Sequence, residues 1–184
     1  MKTTTSVFAA FFFISAFFIS CHKDSDVLNR TFSKVEAYMD ICPDTALYIL
    51  NSIPNPENLR GKAGADYALL MTEAMDKNYM KFSSDSLMVL ALEYYMPDKR
   101  EPFMRAKAQF YYGRVLLESD KAEEALGYFL SAKEYFASVR NDELLALVAE
   151  ETGKVKRKQK IHAEALEDFR EAFAMHKQLG DSMG

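Results

Sequence analysis

Gln109-Phe110-Tyr111-Tyr112-Gly113-Arg114-Val115-Leu116, followed by Ala125-Leu126-Gly127-Tyr128-Phe129-Leu130-Ser131-Ala132, is the stretch that decides the fold. Its apolar and small residues recur at steps of three and four, the spacing that lines one face of a helix. Gly113 and Ala125 stand twelve positions apart. A missing or one-carbon side chain at such points lets a second helix come close. The arrangement returns further along, as Ala149-x2-Thr152-Gly153-x2-Lys156 and then Ala165-x3-Phe169-x2-Ala172, and Gly153 and Ala165 keep the same separation.

Working outward, two upstream segments share the second half of the pattern: Ala46-x3-Leu50-x2-Ile53 and Leu87-x3-Ala91-x2-Tyr94. The four segments start at Ala46, Leu87, Ala125 and Ala165, at nearly even intervals. Each follows another helical stripe: Leu28, Phe32, Val35 and Met39; Ala65, Ala68, Leu69, Thr72 and Met75; Phe103, Ala106, Phe110, Gly113 and Leu117; Leu145, Val148, Ala149, Thr152 and Val155. Turn signals fall between the stripes at Pro43-Asp44, Pro54-Asn55-Pro56, Ser83-Ser84-Asp85, Pro97 to Pro102, Ser119-Asp120 and Asn141-Asp142. Asp44, Ser84 and Asp120 are placed to accept hydrogen bonds from the first turn of the helix that follows. The pattern predicts an all-α chain of eight helices in four antiparallel pairs.

Composition agrees. With 7 Gly and 5 Pro in 184 residues, the chain lacks the turn density of a sandwich or barrel. A formal net charge of −4 carries no basic bias of the kind that marks a nucleic-acid binder.

The amino terminus has a separate character. After Lys2, residues Val7 to Ile19 are apolar except for Ser15, and the polar stretch His22-Lys23-Asp24-Ser25-Asp26 follows Cys21. A short charged start and an apolar run of this length form a secretory signal, too short for a membrane span of about 20 residues. With Ser20 before Cys21, the junction resembles the lipobox of bacterial lipoproteins. That resemblance implies cleavage before Cys21 and acylation of its thiol. It divides the chain into a signal peptide over 1–20, a lipidated tether over 21–30 and a helical domain over 31–184. Cys42 is then left without a disulfide partner, and is read as a small buried apolar residue.

The helical domain is similar to tetratricopeptide repeats, whose template is W-x2-L-G-x2-Y followed by A-x3-F. Here Tyr112-Gly113-x2-Leu116 with Ala125-x3-Phe129, and Thr152-Gly153-x2-Lys156 with Ala165-x3-Phe169, carry the likeness, although the period is longer than the template's and there is no Trp. The resemblance implies a right-handed helical-hairpin solenoid of about four repeats. More narrowly, the chain resembles bacterial envelope lipoproteins through Pro43-Asp44-Thr45-Ala46-Leu47-Tyr48-Ile49-Leu50 and Asp76-Lys77-Asn78-Tyr79. By the tetratricopeptide resemblance a protein-binding groove would be lined by Asp66, Glu73, Asp76, Lys107, Arg114, Glu150, Lys154 and Arg157, whose mixed signs suit a protein or peptide.

Enzymatic signals are weak. His22, His162 and His176 lack zinc-like spacing, and Gly61-Lys62-Ala63-Gly64 lacks the spacing of a phosphate loop. No cofactor or metal is expected. The run Lys154, Lys156, Arg157, Lys158, Lys160 reads as a solvated turn balanced by Glu150 and Glu151 rather than a docking patch. Phe110, Tyr111 and Tyr112 read as core. The last helix carries Ala165, Leu166, Phe169, Ala172, Phe173 and Leu179, a stripe too broad for one neighbour. It predicts self-association or docking of a partner helix. Together these features point to a lipid-anchored, non-enzymatic interaction scaffold or sensor module of a bacterial cell envelope, held in the outer membrane. The alternative is a nutrient- or glycan-capturing lipoprotein that partners an outer-membrane transporter. The lack of Trp argues against that alternative.

Overall fold

A computed structural model describes residues 25–97 and 100–180. Among the described residues there are eight α-helices, one short 3-10 turn and no strand. The helices are α1 over 25–39, α2 Pro43–Asn51, α3 Gly61–Lys77, α4 Ser86–Tyr95, α5 Pro102–Glu118, α6 Ala122–Ser138, α7 Asp142–Lys158 and α8 His162–Gln178. The chain is all-α, as its periodicity predicts. No described helix is long and apolar enough to cross a membrane.

Each helix packs chiefly on its neighbours in sequence, and α3 and α7 each also touch α5. The repeated glycines have a direct role in this packing. A Cβ built on Gly113 would lie 2.6 Å from the Phe129 ring, and one on Gly153 would lie 2.8 Å from the Phe169 ring. The glycines are therefore the seats of the two phenylalanines, and each seat closes one helix pair. Ala125, Phe129, Ala132 and Phe136 have no exposed surface. Full burial of the Phe129 and Phe136 rings contributes about 1.5–3 kcal/mol each relative to leaving them in water.

The core forms two clusters joined through α3. Ala65, Ala68 and Leu69 face the larger one, which continues through α4 to α7; Leu70, Met71 and Ala74 face a smaller one with Phe32, Val35 and Met39 of α1 and Ala46, Leu50 and Ile53 of α2. A helix buried on two faces is covered on both sides by neighbours, as α3 is.

From α5 onward the chain is regular. Helices α5, α6, α7 and α8 each have 17 residues. After them Asp120, Arg140, Lys160 and Gly180 adopt left-handed backbone with φ of 64°, 54°, 65° and 77°. The N–H of Lys121, Asn141 and Ile161 then donates back to the carbonyl of Leu116, Phe136 and Lys156 at 2.9, 3.0 and 2.9 Å. This closes the helix end by a return bond to a carbonyl that has no partner within the helix.

Several local expectations change. Asp120 closes α5 instead of capping α6, and Asp44 lies inside α2 behind Pro43. Ser84 does accept from the Ser86 N–H at 3.4 Å. Asn141 accepts from the Leu144 N–H at 3.0 Å and caps α7. In α4 the buried residues are Met88, Ala91 and Tyr95, so the stripe is displaced at both ends from Leu87 and Tyr94. Phe103 is 37% exposed and only edges onto Phe136, with ring centroids 6.2 Å apart. Cys42 is a free, half-buried thiol at the start of α2, less enclosed than expected.

Candidate functional site

Charged residues expected to line a groove meet one another across the odd-numbered helices. Lys107 of α5 pairs with Glu73 of α3 at 2.6 Å. Arg114, two turns further along α5, donates from Nη2 and Nε to Asp76 of α3 at 2.6 and 3.1 Å. Its Nη1 reaches Glu151 of α7 at 2.7 Å. Lys154 closes the series, 2.9 Å from Glu151 and 2.5 Å from Glu150. Asp66 accepts from the Tyr95 hydroxyl and pairs with Lys62 at 3.2 Å. Arg157 has its guanidinium carbon 5.9 Å from the centre of the Phe169 ring, within cation–π reach. The ladder's cations are thus spent internally, and its first task is to hold α3, α5 and α7 in register.

Electrostatics follows from burial. Burial works against the Arg114 charge, but Glu151 and Asp76 outweigh it and hold the guanidinium above its ordinary range. Burial pushes the Tyr111 hydroxyl well above its usual value, and the nearby Glu73 and Asp76 add to the shift. For Lys77 burial again opposes the charge, while its 2.7 Å pair with Asp40 and the fields of Glu73 and Glu143 more than offset it.

Beside the ladder, the odd-numbered helices enclose open clefts. One of about 210 Å³ lies between α1, α3 and α5, with Phe32, Glu36, Lys62, Asp66, Glu101 and Met104 among its walls. A second, of about 160 Å³, has Asp40, Glu73, Lys77, Lys107 and Tyr111 on one side and Glu143, Leu144 and Leu147 of α7 on the other. Lys77, Glu143 and Leu147 are shared with a third cleft of about 420 Å³, which reaches His176 and Leu179. The clefts adjoin along α5, where Phe103 lines the second and Met104 the first. Together they offer a groove with charged and apolar stretches in alternation.

Of the residues expected to line a groove, Asp66, Glu73 and Lys107 stand in the walls of these three clefts. Lys154 and Arg157 line a separate cleft with Leu117 and Lys158, and Asp76, Arg114 and Glu150 stand in the ladder beside them. Lys77, Tyr111, Glu143, Leu144, Leu147 and His176 were not expected in a cleft wall. One signal was available. Leu144 and Leu147 widen the apolar arc of α7 beyond the core stripe of Leu145, Val148 and Ala149, and they are half-buried where those three are buried. Tyr111 is only 2% exposed, so its reading as core and its position in a cleft wall are both correct.

The remaining features fall elsewhere. In the cationic run, Lys156 pairs with Asp168 at 2.8 Å and Glu164 at 3.5 Å, and Lys158 pairs with Asp120. Among the described residues no three His, Cys, Asp or Glu side chains are grouped to hold a metal ion. Along α8, Ala165 and Ala172 are buried against the body, while Leu166, Phe173 and Leu179 are 49%, 66% and 49% exposed. Cys21 and the apolar run before it lie outside the described residues. Comparison with protein-family models, with curated proteins and with solved structures finds no match to this chain.

Proposed function

We propose that this chain is a non-enzymatic protein-interaction module of tetratricopeptide type, a scaffold or sensor anchored in a bacterial envelope through acylated Cys21. The observation that carries the reading is the groove on the face of α1, α3, α5 and α7, lined by both charged and apolar side chains. In a right-handed solenoid of helix pairs the first helix of each pair lines the concave side, where partners bind. Two further features support that arrangement: the equivalent Gly113–Phe129 and Gly153–Phe169 seats, and ion pairs whose partners stand nearly one repeat apart in the chain. The open face of α8 would serve self-association or docking of a partner helix. Phe173→Glu should then lower the mass seen by light scattering.

The test is site-specific photocrosslinking in cells that express the full chain. A crosslinker at Leu147, in the groove wall, should trap a discrete protein. One at Gly127, whose Cβ direction is open, should not. Equal capture at both positions, or none at Leu147, would contradict the groove. The anchor is tested separately: Cys21→Ala should release the protein from membranes or leave its precursor uncleaved, and unchanged fractionation with unchanged mature mass would refute it.

A further inference from the structure

The geometry points to a positively charged peptide segment, with Lys or Arg interleaved with apolar side chains, as the occupant of the groove between the odd-numbered helices. This rests on the groove reading above and adds the chemistry of the partner.

Charge balance in a confined space sets the sign of the occupant. The three clefts have six carboxylates in their walls: Glu36, Asp40, Asp66, Glu73, Glu101 and Glu143. Against these stand three ammonium groups, Lys62, Lys77 and Lys107. Each lysine is already committed: Lys62 to Asp66 and Glu101, Lys77 to Asp40, and Lys107 to Glu73. No lysine in the walls of these three clefts remains to receive an anion; the cations Lys154, Arg157 and Lys158 line a separate cleft with Leu117, at the far ends of α5 and α7. Glu36 and Glu143 make no ion pair among the described residues, and they sit in different clefts along the groove. Titratable neighbours register the same field, since Lys62, Lys77, Tyr95 and Tyr111 are all held above their ordinary ranges with groove carboxylates among the causes.

Charge alone would not choose a peptide over a free cation. The walls also present the half-buried Met104 in the first cleft and Leu144 and Leu147 in the second, and a bare cation gains nothing from them. A segment with basic and apolar side chains in alternation satisfies both surfaces. Complementary charge also speeds encounter and disfavours acidic competitors.

The full chain, purified in an uncharged detergent, is titrated with three labelled peptides of equal length, built from repeats of Lys-Leu-Ser, Glu-Leu-Ser and Gln-Leu-Ser, and read by fluorescence anisotropy. Only the Lys peptide should bind. The Glu36→Gln/Glu143→Gln double variant should weaken it about fivefold, as expected for two exposed charge contacts. The equally charged control Glu123→Gln/Glu124→Gln, on α6, should leave it within about twofold. Equal weakening by the two double variants would overturn the inference by assigning the effect to bulk charge. Binding of the Glu or Gln peptide as tight as the Lys peptide would overturn the charge assignment and leave the groove standing. Failure of all three to bind would overturn the cationic partner, while capture at Leu147 decides the groove on its own.

Discussion

After Pro102 the chain repeats one unit, a helix of 17 residues and a short turn through a left-handed residue, four times in succession. Before Pro97 the even-numbered helices have only 9 and 10 residues, and a 3-10 turn at Pro56–Asn58 and the long link over 78–85 separate the elements. Both regions bury small residues where helices meet. Only the second does so by seating a phenylalanine on a glycine of the preceding helix. Regular turns carry the register of one helix forward to the next. The irregular loops change the lengths of the elements but not the buried stripe, since Met88, Ala91 and Tyr95 of α4 keep the spacing of Phe129, Ala132 and Phe136 of α6.

The sharpest way to break this comparison is to remove Arg114, which joins the irregular half through Asp76 to the regular half through Glu151. Arg114→Met leaves Glu151, only 5% exposed, without that partner, and should cost about 3 kcal/mol in denaturant unfolding. Lys133→Met, which cuts the outer pair of α6 with Glu171, should stay within about 0.5 kcal/mol. Equal costs would show that the ladder does not join the halves.

A second contrast separates the two glycine seats. Phe129 is fully enclosed, whereas Phe169 is half-buried on the last helix and has room to tilt. Gly113→Ala should therefore destabilise by about 2 kcal/mol through overpacking. Gly153→Ala should be near neutral, because ring movement and the gain in helix propensity offset the contact. Matching thermal shifts for both variants would mean that the final pair is as closed as the one before it.

Those seats are also where the sequence was most legible. Gly113 with Ala125 and Phe129, and Gly153 with Ala165 and Phe169, disclose their pairing through one repeated spacing. The all-α architecture follows from the same periodicity. The groove was only half legible. Its charges appear in the sequence as residues, but their mutual pairing depends on which helices stand side by side. Lys77 and Glu143 share a cleft only because α3 and α7 flank the same groove. No local pattern records that meeting.

Alkaline titration probes the two halves through one buried tyrosine in α4 and one in α5. Burial raises Tyr95, which donates to Asp66, and raises Tyr111 beside Glu73. Both folded values exceed the unfolded one. Their contribution is therefore intact below about pH 10 and is lost as pH rises above it, by up to about 1.4 kcal/mol per tyrosine for each pH unit. Tyr95→Phe and Tyr111→Phe should flatten the fall in stability. An unchanged slope would contradict their protonated, buried state.

The smallest effect concerns the turns. Arg140 and Lys160 hold left-handed backbone without the freedom of glycine. Arg140→Gly and Lys160→Gly should each stabilise the chain by about 0.5–1 kcal/mol, seen as a raised midpoint of thermal unfolding. A loss of stability would show that their side chains matter more than the strain.

The face of the odd-numbered helices is the surface proposed to receive the basic peptide, whereas the outer face of α8 is proposed for self-association or a partner helix. Deuterium exchange of the full chain with and without the Lys-Leu-Ser peptide tests it most directly. Slower exchange should appear at 29–40, 62–77, 101–111 and 141–147, with α6 and the exposed side of α8 around Phe173 unchanged. Protection confined to α8, or none along the groove at peptide concentrations that saturate the anisotropy signal, would contradict it.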